Sequence, residues 1–491
     1  MYLIFTFLPE IYIFFSICIL FIYGITYYLS SILKFPNIYN NIVYLSILLL
    51  TYTFFLLLNN NIYYFDYSII LKTQGNLILE IFMILITILI LIVSNTYNKL
   101  YNIQCLEYVI LILLSLGSLL FFINLVNLIY IYLLIEVQSI VVSILLSINK
   151  NNRYSIESSI KYFMLGSYSS LLFLFGVSII YGSTGIITIH NLSMFFEYYN
   201  LIQNDIVLIS TKMSSIFILI GLLFKIYSAP FHFWLPEIYE GSPMSVLMYL
   251  SSIQLIAMIV FFIKMYYYVL FDVLKLKQLI LYIISFLTLV LGSLGALFQR
   301  KIKKLISYST ITVNGFFLYA IVNINLVLLE SSLMYLFIYI FMSLLLFIIS
   351  LNVFVNNKIM TKLTDLFNIY YINKPICILL IVILFTLTGL PPFVIFISKL
   401  FWLKSFFFEY LIGTVFLFII LLFSNFYYMR FIKNIYYHID NNNNVYFLSS
   451  KNYWSIWLLW FLLFVLIYSL FYNNLLFVFV KVLLYSIINA L

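Results

Sequence analysis

Apolar stretches about as long as a bilayer is thick follow one another along the whole chain, with charge confined mostly to the short segments between them. Crossing the hydrocarbon core takes about 20 apolar residues in a helix. Inside lipid, every backbone polar group must find its partner within the protein. These two facts predict an all-α, polytopic membrane bundle. Runs of spanning length fall near 11–33, 42–58, 77–94, 107–124, 126–148, 158–181, 206–228, 243–270, 279–298, 305–329, 331–355, 375–408, 411–436 and 453–473. That makes about 14 transmembrane helices. Leu475 to Leu491 reads as an extra short or interfacial helix. The opening residues MYLIFTFLPEIYIFF have no positive n-region and no small-residue cleavage site, so they are expected to belong to a retained first helix.

Two of these runs cannot be straight. In GLLFKIYSAPFHFWLPEIYEGSP, from Gly221 to Pro243, a segment largely apolar since Ile206 meets Pro230, Pro236 and Pro243. Proline removes a backbone donor and clashes with the preceding turn, so the helix is expected to break here. Broken backbone at membrane depth survives only where it is buried in protein or lines a wet cavity. Lys225 stands just ahead of this break, and His232, Trp234, Glu237 and Glu240 lie within it. An ammonium group so placed is a candidate for moving charge through the membrane. The run 375–408 is too long for one span and contains Gly389, Pro391 and Pro392. It is a second broken helix, with Lys399 beyond the break.

Ionisable residues deep in apolar sequence need a partner or a task. Glu136, in LIYIYLLIEVQSIVVSILL, is either a proton carrier or a structural tie to Gln138 or a lysine. Insertion scales put the cost of burying such a carboxylate at about 2.5–3.5 kcal/mol. Lys161 is near its helix start, where a long side chain can reach the interface. Lys225 is too deep for that unless its helix is broken, and Lys399 is comparable. Burial disfavours the charged form of a lysine and a neighbouring carboxylate favours it, so a lysine between the two is suited to taking up and releasing protons. Glu80, in LILEIFMILI, is near the start of its span and reads as interfacial. His232 is either a proton relay or a cap of the broken helix.

Composition then excludes other classes. The chain is 66% hydrophobic and 8% charged, with a mean hydropathy of +1.17, unlike any soluble domain. The net charge of +9 comes from loop lysines and arginines, so topology explains it and no nucleic-acid partner is implied. Cys18, Cys105 and Cys377 are scattered and fit neither a disulfide framework nor a metal site. No GxGxxG or Walker pattern occurs. Basic residues gather after odd-numbered spans, from Lys34, Lys99, Lys150 and Arg153 to Arg300, Lys301, Lys303, Lys304, Lys358, Lys362, Lys374, Arg430, Lys433 and Lys451. After even-numbered spans there are fewer: Lys72, Lys212, Lys275, Lys277 and Lys404. The positive-inside rule therefore puts both termini outside. Scarce Ala with abundant Ile, Phe, Tyr, Asn and Lys reflects AT-rich codons, as in an organellar genome.

The segment from Gly221 to Pro243, and within it the Tyr239–Glu240–Gly241–Ser242 tetrad, resembles the subunit 2 family of respiratory NADH:quinone oxidoreductase (complex I). Matching segments follow in the family's order: IEVQSIVVSIL around Glu136, ESSIKYFMLGSYSSLLFLFGVSIIYGSTG from Glu157, GALFQRKIKKLISYSTI from Gly295, LTGLPPFVIFISKLF around Lys399 and NFYYMRFI around Arg430. They cover roughly 130–435. The resemblance implies an antiporter-like subunit with two inverted five-helix repeats and discontinuous helices seven and twelve. It divides the chain into spans one to three (1–105), repeats at 106–270 and 271–437, and a C-terminal loop and helix (438–491). It implies a charged axis for proton translocation through Glu136, Lys161, Lys225 and Lys399. The family's helix-eight lysine is missing: Leu255 stands there beside Gln254, and the first basic residue is Lys264. The family's histidine near 313 is also replaced, by Val313 and Asn314.

By the same resemblance, this chain binds no cofactor. NADH, FMN, iron–sulfur clusters and quinone belong to other membrane-arm and peripheral-arm subunits, lipids such as cardiolipin surround it, and the mitochondrial inner membrane is the expected location ahead of a bacterial plasma membrane. Two competing readings are a cation/proton antiporter subunit, against which the tetrad argues, and a structural membrane-arm subunit without a complete proton path, which the loss at Leu255 favours.

Overall fold

The structure, a computed structural model, describes residues 7–30, 38–59, 64–67, 70–101, 103, 105–199, 205–270, 278–323, 325–355, 358–359, 361–366, 374–391, 393–409, 411–437, 445–447 and 473–488. Among them, eleven helices are long and apolar enough to cross a membrane. Each expected span lying in these residues coincides with a helix over most of its length, 375–408 with two; 331–355 ends in the strand Val353–Val355, 305–329 runs past the end of the helix Ile302–Val322, and 453–473 falls outside all but its last residue. The helix Asn473–Ile488 stands where the short C-terminal helix was expected.

The chain divides into two compact units. The first comprises Met1–Ile226, Gly241–Lys277 and Val482–Leu491. It opens with α1 (Leu8–Ser30) and α2 (Ile38–Leu58), then a hairpin of β1 (Tyr64–Tyr67) and β2 (Ile70–Thr73) that the all-helical expectation did not include. Thr73 ends the hairpin and caps α3 (Gln74–Leu100), its side chain accepting the Asn76 N–H. Next come α4 (Leu106–Asn124), α5 (Leu128–Leu146) and α6 (Arg153–Thr184). Asn127 and Asn152 cap α5 and α6, and Gly185 closes α6 in the left-handed conformation (φ 72°) that glycine adopts without cost. The short α7 (Ile189–Tyr199) precedes α8 (Asp205–Lys225).

The centre of this unit is α10 (Met244–Leu270), buried along its whole apolar window. An all-round hydrophobic helix belongs inside a bundle, not at its lipid face. Two stretches of it, Leu250–Gln254 and Tyr266–Leu270, are π-helical. Elsewhere small residues set the packing distance. α6 and α8 cross where a β-carbon on Gly221 would lie 2.8 Å from the Ser169 carbonyl, and one on Gly176 2.8 Å from the Ser214 carbonyl. Lipid tails are as apolar as leucine, so close backbone approach of this kind is what holds membrane helices together.

The second unit comprises Tyr227–Glu240 and Gln278–Lys481. It begins with the break itself and most of α9 (Trp234–Gly241), followed by α11 (Gln278–Phe298), α12 (Ile302–Val322) and α13 (Leu326–Asn352). Three short strands, β3 (Val353–Val355), β4 (Lys358–Ile359) and β5 (Val445–Phe447), pair in the order β4-β3-β5. Then come α14 (Lys374–Thr388), α15 (Val394–Glu409), α16 (Leu411–Tyr437) and the first part of α17 (Asn473–Ile488), which from Val482 on belongs to the first unit. α11 and α12 meet through glycines as well: a β-carbon on Gly292 would sit 2.9 Å from the Thr312 nitrogen.

Gly221→Ala is expected to lower the amount of assembled protein and its thermal midpoint, because the new methyl meets backbone; overpacking costs about 1–3 kcal/mol. Gly182→Ala, with nothing within 4 Å of the new carbon, is the control and should be neutral or slightly stabilising. Equal behaviour of the two variants in a thermal-shift assay would contradict this account of the α6–α8 crossing.

Candidate functional site at two helix breaks

Both expected breaks are present. The first runs from Ile226 to Phe233, between α8 and α9. Tyr227, although not glycine, has φ 63°, and its buried ring packs edge-on against Trp234, with centroids 5.1 Å apart. Pro230 lies in the turn. Pro236 does not break anything: it is the third residue of α9, in the first turn, where a missing N–H is tolerated. Pro243 separates α9 from α10 as the residue that begins the latter helix. The second break, between α14 and α15, has Gly389 at φ 71° and Pro391 in the turn, while Pro392 lies outside the described residues.

Lys225 is the last residue of α8 and is buried. A helix C-terminus carries partial negative charge, so a cation is favoured there. Its ammonium faces the gap left by Gly166 of α6: a β-carbon at that glycine would lie 3.6 Å from Nζ and 3.4 Å from Cβ of Ser139 on α5. Glu136 of α5 is the carboxylate that acts electrostatically on Lys225. Among the described residues no ion pair of 4.0 Å or less joins the two. The carboxylate is instead held by hydroxyls, with Ser170 donating to Oε1 and Ser139 to Oε2 at 3.2 Å. So Glu136 and Lys225 share one polar pocket without a contact pair.

Gln254 is also buried, at the end of the first π-helical stretch of α10. Its Nε2 donates to the Tyr162 hydroxyl of α6 at 2.6 Å, and its Oε1 has no hydrogen-bond partner. Gln138 donates to the Ser115 carbonyl at 2.6 Å and to the Ser118 hydroxyl, and its Oε1 is likewise unpartnered. Leu255 is buried and apolar. Lys161 is elsewhere: its side chain is 38% exposed and pairs with Glu157 one turn away. The chain itself therefore does not bring Lys161 into the buried set.

In the second unit, Lys399 of α15 is buried and its Nζ donates to the Thr388 carbonyl, the last of α14, at 2.7 Å. The Tyr335 ring lies 6.0 Å away. Beside the lysine is a cavity of about 10 Å³ lined by Phe316, Tyr335, Ser398, Trp402 and Leu421, close to what one water requires. His232 is buried in the first break with Nδ1 unpartnered. Glu240, from the tetrad, is held by Lys301 and, at 2.6 Å, by Lys304 of α12. Burial raises its pKa, but the two lysines outweigh this and keep the carboxyl below its usual range.

A second buried polar group escaped the sequence reading. Glu10, Lys72, Glu80, Asn76 and Asn124 form one hydrogen-bonded set, all inaccessible to solvent, and Lys264 joins it. Glu80 is thus buried, not interfacial. The available signal was topological: Glu10, Lys72, Glu80, Asn124 and Lys264 all fall at span ends on the side opposite the basic loops.

The membrane-domain model of the NADH:quinone oxidoreductase/Mrp antiporter family matches residues 125–426. NADH-ubiquinone oxidoreductase chain 2 of Marchantia polymorpha is 31% identical over 438 residues, 87% of this chain and 88% of the relative. NADH-quinone oxidoreductase subunit N of Pelagibacter ubique is 31% identical over 464 residues, covering 91% and 93%. Among solved structures, a chain of respiratory complex I from Thermus thermophilus superposes with a TM-score of 0.73 at 20% identity, over 94% of this chain and 98% of that one. A chain of the Mrp complex from a Dietzia species gives 0.78 at 14% identity, covering 98% of each. These two show the shared fold.

The ion pairs of Glu240 generate a pH prediction. Its depressed pKa contributes stability that is complete above the ordinary carboxylate range and is lost as pH falls through the folded value. The thermal midpoint gap between the parent and Glu240→Gln should therefore be full at neutral pH and close in acid. Partly exposed pairs are worth only about 0–1 kcal/mol, so the gap is small. A gap that widens on acidification would refute this assignment.

Proposed function

Because the chain belongs to the NADH:quinone oxidoreductase/Mrp antiporter membrane family, we propose that it is subunit 2 of a respiratory NADH:quinone oxidoreductase and moves protons across the membrane through Glu136, Lys225 and Lys399. The observation that carries this reading is the same arrangement in both units: a buried ammonium group at the end of an α-helix that stops within a span. Such a lysine has backbone dipoles on one side and mobile, hydratable backbone on the other, the setting in which membrane transporters place their ion sites.

The proton chemistry follows from the pocket. With Lys225 protonated, the Glu136 carboxylate across Gly166 and Ser139 stabilises the ammonium. A charge change at the end of the axis nearest the quinone chemistry alters that balance, and Lys225 passes its proton on. Ser170 and Ser139 keep the Glu136 oxygens oriented meanwhile. Lys399 holds its proton against the Thr388 carbonyl, beside a cavity with room for about one water. We assign NADH, FMN, iron–sulfur clusters and quinone to partner subunits, and the location to the mitochondrial inner membrane, in keeping with the AT-biased composition.

A second reading, a membrane-arm subunit without its own complete path, is favoured by the buried Leu255. The two differ in proton yield. In the first reading, ordered water at the free oxygens of Gln254 and Gln138 bridges the gap.

Three outcomes are expected from the purified complex in proteoliposomes. Lys225→Ala assembles but loses coupled NADH oxidation several-fold; full proton yield from that assembled variant sinks the proposal. Glu136→Gln with Lys225→Ala is no worse than the worse single change, whereas strictly additive losses would separate the two residues. Gln254→Leu slows pumping with little effect on assembly, and Leu255→Lys is tolerated; an assembled Gln254→Leu enzyme pumping at full yield would assign the route elsewhere.

A further inference from the structure

The buried polar set at the other end of the first unit is built like a site. Lys72 of β2 pairs with Glu10 of α1, and its Nζ lies 3.3 Å from an oxygen of Glu80 on α3. The Asn124 amide, at the end of α4, donates to Glu80 Oε1 and, at 3.4 Å, to Glu10 Oε1, so two carboxylates meet on one amide and one ammonium. Asn76 donates to Asn124 Oδ1 at 3.0 Å, and Lys264 of α10 donates to Asn76 Oδ1 at 3.3 Å and to the Ile123 carbonyl. Glu10, Lys72, Glu80, Asn76 and Asn124 have no solvent exposure, and Lys264 has 7%.

A structural staple would keep its two carboxylates apart, each on its own ammonium, with every oxygen satisfied. This set departs from that in two ways. The like charges of Glu10 and Glu80 are brought together, which favours keeping a proton on one of them. Glu10 Oε2 is buried with no hydrogen-bond partner, an acceptor left free for a proton or for water. Fully ionised, the two glutamates and two lysines sum to zero charge. One added proton makes the cluster +1, and transfer of a proton from Lys264 to a carboxylate leaves the sum unchanged. The groups facing one another are Glu10 from α1, Lys72 from β2, Glu80 from α3 and Lys264 from α10, with the neutral Asn76 and Asn124 between them.

We propose that Glu10, Lys72, Glu80 and Lys264 form a proton-binding site that takes one proton onto the Glu10/Glu80 carboxylates and exchanges it with the aqueous phase on the side opposite the basic loops. No electron moves and no co-reactant is needed: the O–H bond formed on the carboxyl is broken again when the proton leaves. The delivery of protons to this site rests on the translocation reading above, since α10 also carries Gln254 some ten residues back. The binding of a proton does not rest on it.

The test uses the intact complex in two measurements. Infrared difference spectra recorded on changing pH, with glutamate carboxyls isotope-labelled, should show a protonated-carboxyl band that disappears in Glu80→Gln or Glu10→Gln and shifts in Glu80→Asp. Proton yield per NADH in proteoliposomes should fall in Glu80→Gln while NADH oxidation with an uncoupler is kept. If the glutamine variants do not assemble, the band in the parent and its shift in the aspartate variant decide. No titrating carboxyl band, or a band unmoved by changes at both glutamates, overturns the proposal. Full proton yield in assembled Glu80→Gln also overturns it. Lys225→Ala separates the two readings: if it abolishes pumping and Glu80→Gln does not, the cluster is a staple and translocation stands. If neither changes the yield, both readings fail.

Discussion

A helix that stops inside a membrane leaves its last carbonyl groups without partners, and no water is at hand to supply them. In this protein the chain supplies lysine. Lys399 answers the final carbonyl of α14 directly, and Lys225 is itself the closing residue of α8. The electrostatic need of the broken backbone and the charge of the side chain satisfy each other. The same residue type suits the proposed proton chemistry, because an ammonium can lose its proton when buried, whereas a guanidinium stays charged in any protein setting. On that proposal, structure and function require the same group at the same place.

Everything around the lysines keeps other polar groups quiet. The helices carry many serines and threonines, and most of their hydroxyls donate to the carbonyl three residues back, as in Ser169 to Gly166 and Ser309 to Ile306. A hydroxyl so engaged costs little in lipid and adds no charge pathway. The exceptions carry the information. Ser170 donates both to its own helix at Ser167 and across to Glu136, which ties the carboxylate to α6 beside the glycine that makes room for Lys225. The amides of Gln138 and Gln254 spend their N–H groups on neighbours and leave their oxygens open. A polar track is therefore distinguishable from a polar background by which lone pairs remain unused.

Much of this was readable in one dimension because depth in a membrane is measured along a single helix. The described spans, both breaks, and the burial of Lys225 and Lys399 follow from counting residues between loops, whereas Glu136 is only half-buried. The role of each proline did not follow, since Pro236 has the same chemistry whether it ends a helix or sits in a first turn, and local sequence does not say which. Lys161 illustrates the other failure. Which face of α6 it occupies depends on how α6 packs, and its side chain is 38% exposed. The Glu10–Lys72–Glu80–Lys264 set needed four segments brought together through a hairpin that the apolar pattern conceals. Only the topology, which assigns all of them to one end of the bundle, gave notice of it.

The apolar substitution in α10 and the lysine further along it are physically connected. α10 is buried all round, so a lysine anywhere on it must bring its own partners or impose a cost of several kcal/mol. At Leu255 the neighbours on hand are Gln254 and Tyr162, already bonded to each other, and a leucine needs no partner of its own there. Nine residues on, about 14 Å along the axis, Lys264 meets Asn76 and the Ile123 carbonyl, with Glu80 as the nearby negative charge. The cation of this helix sits where the partners are. A polar track through this unit must therefore pass from amide oxygens near the middle of α10 to ionisable groups at its end, and the two π-helical stretches, Leu250–Gln254 and Tyr266–Leu270, flank that interval. Between them Leu255–Met265 is regular α-helix, so the ten residues from Gln254 to Lys264 carry the second side chain part-way round the axis as well as along it. One otherwise apolar helix thus serves two polar neighbourhoods by depth and by face.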